Sequence, residues 1–251
     1  MSTLYIVATP IGNLDDMTIR AGKILAEADC ICAEDTRVSR VLLSRYNIST
    51  SVIPYHDFNK EKMTPQIIKM LQDGKNIALI SDAGMPGIAD PAFNLVREAI
   101  KNKIPVVPIP GPSAFVSALV CSGLPTDRFV FENFLPPKSA RRKKIFETFK
   151  TEPRTVIFYE TPHRIVSVLT DMNEILGDVN VVIARELTKI FEEFLRGTPK
   201  MLLEHFAQKK PRGEMVVMLN TRIKPEIPAM VTEDAGQASY HEKHQGPVTT
   251  E

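Results

Sequence analysis

Over the first 110 or so residues, short apolar runs alternate with helix-length amphipathic patterns, and this alternation constrains the fold more than any other feature. Residues 4–8, 29–33, 76–80 and 105–109 read as buried strands. Enough chain separates them for crossover helices. Strands and helices alternating in this way specify a parallel sheet covered on both faces. Helix starts are also legible. Thr18 stands where a cap is needed for a helix through Ala28. Thr64-Pro65 reads as a cap followed by proline at the first helical position, and Asp90-Pro91 repeats that start for a helix to about Lys103.

The second half changes style. Strands are expected at 128–135, 155–160, 180–186, 193–196 and 214–220, interrupted by helical patterns at 139–150, 163–176 and 199–208. With fewer crossover units, a mixed sheet is expected. Pro105, Pro108, Pro110 and Pro112 surround Gly111, and this stiff punctuation marks the boundary between two α/β domains, 1–111 and 112–220. Residues 221–251 carry prolines, Ser/Thr, Gly and acids without periodicity and read as a disordered tail.

Composition narrows the class. A chain of 251 residues, 43% hydrophobic and 24% charged, has the makings of a packed core. Charges or prolines break every apolar run before the roughly 18–20 residues a membrane helix needs. The N-terminus lacks the basic region of a secretory leader, so a cytoplasmic protein is expected. Cys30, Cys32 and Cys121 form no Cys-x-x-Cys pair and no closed disulfide set. The net charge of +1 conceals a split. Residues 225–251 hold Lys243 against Glu226, Glu233, Asp234, Glu242 and Glu251, a net −4, so the rest of the chain carries +5. Lys138, Arg141, Arg142, Lys143 and Lys144 concentrate this excess within seven residues. A cluster of that kind suits an anionic partner, although a solvated helix face has the same composition.

In open α/β sheets, ligands bind in the loops beyond the carboxyl ends of the strands. Four such ends here carry Thr9-Pro10-Ile11-Gly12-Asn13-Leu14, Glu34-Asp35-Thr36-Arg37, a segment from Ser81 to Pro91, and Pro110-Gly111-Pro112-Ser113-Ala114. One loop of Gly, Pro, Asp and small hydroxyls is ordinary turn chemistry, but four on the same edge point to a shared ligand crevice. No Gly-x-Gly-x-x-Gly follows the first strand, Gly74-Lys75 lacks the glycine of a phosphate-binding loop, and no Gly-x-Ser-x-Gly elbow exists. His56, His163 and His205 are scattered, and His241-x-x-His244 falls in the tail, so no metal site is expected.

These loops also carry a resemblance. Thr-Pro-Ile-Gly-Asn-Leu at 9–14, Glu-Asp-Thr-Arg at 34–37, Ser-Asp-Ala-Gly-x-Pro at 81–86 and Pro-Gly-Pro-Ser-Ala at 110–114 occur in order. Gly-Leu-Pro-x-Asp-Arg-Phe at 123–129, Phe-Tyr-Glu-x-x-His-Arg at 158–164, Ala-Arg-Glu-Leu-Thr-Lys at 184–189 and Arg-Gly-Glu-Met-Val at 212–216 follow them. From about residue 3 to 220 the chain resembles the ribosomal RNA small subunit methyltransferase I family, a branch of the tetrapyrrole methylase superfamily. The resemblance implies two α/β domains of the tetrapyrrole methylase type, with S-adenosylmethionine in the cleft between them, and a homodimer. It implies 2′-O-methylation of a decoding-centre cytidine, cytidine 1402, in the 16S rRNA of the small ribosomal subunit. Neither a membrane nor DNA is an expected partner. One departure is that relatives usually continue into a helical C-terminal extension where this chain has 221–251.

By the same resemblance, Pro10, Ile11, Gly12 and Asn13 flank the cofactor, with Ser81, Asp82, Ala83, Gly84 and Pro86 opposite and Ser113 and Ala114 beside them. Glu160, Arg185, Glu186, Gly213 and Glu214, at strand ends of the second half, would close over it. Methyl transfer to a ribose hydroxyl needs a route for the proton. Glu34 and Asp35 are the candidate bases, with Arg37 a candidate grip for RNA phosphate. Lys138, Arg141, Arg142, Lys143 and Lys144 open a helix, where cations oppose the macrodipole. Exposed N-terminal amides and basic heads together form an anion site, so these five are expected to hold the rRNA backbone. Two other readings remain open. One is a methylase of the same fold acting on a tetrapyrrole or protein, and the other is a non-catalytic RNA-binding module.

Overall fold

The computed structural model describes residues 2–223 and the backbone of 231–234. The chain divides into two compact units, Met1–Ser117 and Ala118–Glu251, a few residues beyond the Gly111-Pro112 junction.

The first unit is a five-stranded sheet. Its strands are β1 (Leu4–Val7), β2 (Cys30–Ala33), β3 (Val52–Pro54), β4 (Ile77–Ile80) and β5 (Val106–Ile109), in the order β3-β2-β4-β1-β5. Every pairing is parallel. Its helices are α1 (Ile19–Glu27), α2 (Thr36–Arg45), α3 (Lys60–Gln72) and α4 (Ala92–Lys101). Every residue of β2 and β4 is buried, because helices cover both faces. On one face Leu4, Ile6, Cys30 and Cys32 pack with Ile67 and Leu71 of α3 and Leu95 and Ala99 of α4. On the other, Val7, Ile31, Ala33 and Ile80 pack with Ala21 and Leu25 of α1 and Leu43 of α2. The two cysteines are therefore core residues.

This wiring fixes where a ligand belongs. From β1 the chain crosses through α1 on one face, past β4, to β2. From β4 it crosses through α4 on the opposite face, past β1, to β5. The loops leaving β1 and β4 diverge between two neighbouring strands, which is the switch point where open sheets leave a crevice.

Three features differ from the sequence expectation. The helix assigned to start at Thr64-Pro65 begins at Lys60, with Pro65 inside it. The chain reverses earlier because Asn59 binds it on both sides. Its Oδ1 accepts from the His56 amide (2.9 Å) and its Nδ2 donates to the Pro54 carbonyl (3.1 Å). The elements α2, β3 and a short α5 (Ala114–Val120) were not anticipated. Val231–Asp234, inside the stretch read as a disordered tail, is a strand, β11, paired with β9 (Glu193–Gly197). Residues 224–230 and 235–251 lie outside the described residues.

The second unit is a mixed six-stranded sheet. Besides β9 and β11 it contains β6 (Phe129–Phe134), β7 (Thr155–Glu160), β8 (Asn180–Arg185) and β10 (Met215–Asn220), in the order β11-β9-β8-β10-β7-β6. Only β6 and β7 run parallel. Helices α6 (Ser139–Phe149), α7 (Ile165–Leu176) and α8 (Pro199–Gln208) lie on one face. They share a core of Phe146, Phe149, Leu169, Leu202 and Phe206 with Phe158, Ile183, Val217 and Leu195.

Candidate functional site

At the switch point of the first unit the β1 and β4 loops are bound to each other. Thr9 and Gly84 exchange backbone hydrogen bonds (2.9 and 3.0 Å), and the Thr9 hydroxyl donates to the Ser81 carbonyl (3.1 Å). Thr9, Pro10, Ser81, Gly84 and Pro86 are buried and form a floor, while Gly12, Asp82 and Ala83 are exposed above it. Gly84 adopts φ +78°, open to glycine but strained for other residues, and a Cβ there would lie 3.4 Å from Ile11 Cγ2. At Gly111, which joins β5 to Ser113 and Ala114, a Cβ would approach Ala8 Cβ to 2.9 Å. The expected small-residue positions of β1, β4 and β5 are thus brought together in one unit.

Carboxylates crowd the same edge. Asp82 Oδ1 accepts from the Asp35 amide (2.9 Å), tying the β4 loop to the β2 loop. Asp35 caps α2 through the Arg37 amide (2.8 Å) and pairs with the Arg37 guanidinium (2.6 Å). Hydrogen bonds from Arg37 hold its carboxyl down at about 2. Glu34 behaves oppositely. Burial pushes its carboxyl above the ordinary value, and the negative charges of Asp82 and Asp90 push it further. Asp90, which the sequence gives as a helix start within the loop after β4, accepts from the amides of Gly87 (2.7 Å) and Ala92 (2.9 Å). Burial raises its carboxyl as well. Its place as the last residue of the β4 loop was the signal that it belongs to the edge. Of the two candidate bases, Glu34 has the raised basicity, and Asp35 is engaged as a cap.

In the second unit Glu160, Met215, Arg185 and Glu193 stand in register across β7, β10, β8 and β9, on the face that α6–α8 cover. Glu160 is 2% exposed, and its Oε1 accepts from the Thr161 amide (2.8 Å). Arg164 stands 3.2 Å from Oε2 without hydrogen-bond alignment. Burial outweighs that charge and raises the carboxyl. Arg185 pairs with the buried Glu193, which Lys209 also reaches (3.3 Å). Glu186 and Glu214 share Lys189 (3.0 and 3.2 Å), and the Glu214 amide donates to Glu186 (3.2 Å). Gly213, at φ +78°, lies so close to the Glu186 side chain that any Cβ would overlap it. The structure thus engages Arg185 with Glu193, and Glu186 and Glu214 with Lys189, while Gly213 lies against Glu186. Glu160 is withdrawn from the expected cofactor set because its carboxylate faces inward.

The basic helix needs a larger correction. Arg142 is 2% exposed. It donates from Nε to Asp171 of α7 (2.8 Å) and from its terminal nitrogens to the carbonyls of Pro136, Pro137 and Ser167 (3.3 Å each). Lys143 pairs with Glu174 (2.6 Å). These two cations bind α6 to α7, which is the structural reason for placing them at a helix start. Arg142 cannot grip RNA from inside the core. Lys138, Arg141 and Lys144 are exposed. Among the described residues no group of His, Cys, Asp and Glu is arranged to hold a metal ion, and no helix is long and apolar enough to cross a membrane.

Comparison with known proteins adds a second line. Residues 3–202 match the model of the tetrapyrrole (corrin/porphyrin) methylases. The ribosomal RNA small subunit methyltransferase I of Thermotoga maritima is 47% identical over 220 residues, 88% of this chain and 99% of that protein. The protein of the same name from Mesorhizobium japonicum is 50% identical over 229 residues, 90% of this chain and 78% of its own. Among solved structures, diphthine synthase superposes with a TM-score of 0.69 at 14% identity, covering 87% of this chain and 90% of that one. A cobalt precorrin-4 methyltransferase gives 0.63 at 16% identity, covering 87% and 94%. At such identities these two speak for the fold alone.

Proposed function

The chain belongs to the ribosomal RNA small subunit methyltransferase I family, a branch of the tetrapyrrole methylases, and from that membership we propose that it methylates ribosomal RNA with S-adenosylmethionine as donor. The acceptor in this reading is the 2′-hydroxyl of a decoding-centre cytidine in 16S rRNA, presented on the small subunit to a homodimer. One observation carries the cofactor part. Glu34 is half-buried at the switch point with the negative charges of Asp82 and Asp90 acting on it, and Arg37, the nearby cation, is engaged by Asp35. A ligand bearing positive charge relieves that repulsion. S-adenosylmethionine carries a sulfonium and an ammonium, and its flat, polar body suits a floor of glycine and small side chains.

Ile11, Gly12 and Asn13, together with Asp82, Ala83, Gly84, Ser113 and Ala114, would hold the cofactor. When bound, it supplies an electrophilic methyl group. The chain's own residues do the rest. The bound loops hold the reacting groups in place, a contribution on the order of 7–11 kcal/mol at best. Glu34, with its raised basicity, accepts the proton of the ribose hydroxyl, worth about 10²–10⁴-fold. The Arg37 side chain is 87% exposed. Its guanidinium has five N–H donors, of which Asp35 engages part, so it retains donors for a backbone phosphate. Lys138, Arg141 and Lys144 extend the contact with RNA.

The test is transfer of labelled methyl groups from S-adenosylmethionine into stripped small ribosomal subunits, naked 16S rRNA and a uroporphyrinogen-type tetrapyrrole. Label entering the subunits is the expected result. Label entering only the tetrapyrrole, or none of the three, would refute the proposal.

A further inference from the structure

An open cavity of about 580 Å³ lies within the second unit, lined by Phe191, His205, Lys209, Lys210 and Arg212 around the Arg185–Glu193 pair. Its size falls within the range of small-ligand sites. The walls are two short loops, each pinned at both ends. The loop from α8 to β10 is fixed at Lys209, whose amide donates to the His205 carbonyl (2.9 Å) and whose ammonium reaches Glu193 (3.3 Å). At its other end Gly213 presses against Glu186. Between these anchors Lys210 and Arg212 are exposed, with Pro211 separating them, and neither has a carboxylate partner among the described residues. The turn from β8 to β9 is held by the Thr188 amide on Glu192 (2.6 Å) and the Lys189 amide on the Glu186 carbonyl (3.0 Å). It presents Phe191, 65% exposed.

Nearly every other cation of this network has a carboxylate beside it, whereas these two face solvent. A phenylalanine left in water forgoes the stabilisation that burial would give it. Two cations without a carboxylate partner among the described residues and an exposed ring, displayed on hydrogen-bonded loops around one cavity, match the makeup of single-stranded nucleic-acid sites, where phosphates lie on Lys/Arg and a base stacks on an aromatic face. We propose that this cavity binds single-stranded RNA, with Lys210 and Arg212 on the phosphates and Phe191 under a base. The proposal rests on the chain being an rRNA methyltransferase, and it names where unpaired RNA beside the target is held. An acidic peptide would use the two cations but would leave the ring without a role.

The experiment uses the full chain and a short single-stranded oligoribonucleotide, with binding followed by fluorescence anisotropy across a salt series. Lys210→Gln with Arg212→Gln is expected to weaken binding and to make the log–log salt slope shallower by about 1.4, the value for two phosphate contacts on a single strand. Phe191→Ala is expected to weaken binding about tenfold with the slope unchanged. All three residues are exposed, so the variants should fold and retain S-adenosylmethionine binding by calorimetry. Wild-type affinity and slope in these variants, while subunits are still methylated, would overturn the cavity proposal alone. So would displacement of the oligoribonucleotide by inorganic phosphate or an acidic peptide at equal concentration. Binding that depends on these three side chains in a protein that methylates no subunit would support the cavity and overturn the functional reading.

Discussion

The two units handle charge in opposite ways. In the first, the carboxylates at the strand ends find backbone amides or one another: Asp82 takes the Asp35 amide, Asp90 the amides of Gly87 and Ala92, and Glu34 has Asp82 and Asp90 for neighbours. In the second, charges pair with opposite charges: Arg142 with Asp171, Arg185 and Lys209 with Glu193, Lys189 with Glu186 and Glu214. A charge held by backbone amides keeps its field for a ligand, whereas a paired charge spends it on the fold. The difference follows from topology. A parallel sheet gathers loops and helix starts at one edge, where unpaired N–H groups abound. A mostly antiparallel sheet lays side chains in register, so Arg185 of β8 meets Glu193 of β9, and the helices packed side by side on one face bring Arg142 of α6 against Asp171 of α7.

The largest effect should come from breaking a pair in the second unit. Arg142→Ala removes the closest charge partner of the buried Asp171, leaving it Ser139 (2.9 Å) and the more distant Lys143 (3.8 Å), and should cost about 3 kcal/mol, read from denaturant midpoints. Arg141→Gln with Lys144→Gln should stay within about 0.5 kcal/mol of wild type. Equal costs for the two variants would erase the distinction between structural and exposed cations in α6.

In the first unit, Glu34→Gln should lower turnover at saturating cofactor by about 10²-fold or more. A raised carboxyl stays protonated to higher pH. Wild-type kcat/KM should therefore rise with pH through a value above the ordinary 4.5, and the variant should lose that limb. An unchanged limb would mean that another group takes the proton.

Gly84→Val forces a β-branched residue to φ +78°. It should cost about 1–3 kcal/mol of strain and weaken S-adenosylmethionine binding at least tenfold by calorimetry. Unchanged affinity would remove the Thr9–Gly84 floor from the cofactor site.

The smallest effect concerns Asp35. Its carboxyl is depressed to about 2, so its contribution to stability is present above the ordinary 3.8 and is lost as pH falls toward 2. With its partner Arg37 in solvent, it should shift the acid side of the Tm profile only slightly, and Asp35→Asn should flatten that part. A large shift would show that the Arg37–Asp35 pair holds more than a helix cap.

Much of the fold is legible in the sequence because its signals are local. Buried apolar runs of four to six residues and a cap such as Thr18 mark most of the elements to within a residue or two. The elements that escape notice lack such signals. β3 has three residues, and α2 follows its strand so closely that Glu34-Asp35-Thr36-Arg37 reads as a loop. In the candidate site, the strand-end loops show their small residues plainly. The partners that decide each charge's role are distant in sequence. Arg142 looks like one of five surface cations until α7 brings Asp171 against it, 29 residues away. The raised basicity of Glu34 depends first on its burial and then on Asp82 and Asp90, which only the folded sheet brings about.

The most direct test of the central claim is the chemical location of the transferred methyl group. Small subunits are labelled with methyl-labelled S-adenosylmethionine, and their 16S rRNA is digested to nucleosides. Label is expected in 2′-O-methylcytidine, formed about 10²-fold more slowly with Glu34→Gln. Label on a base carbon or nitrogen, or in ribosomal protein, would contradict it.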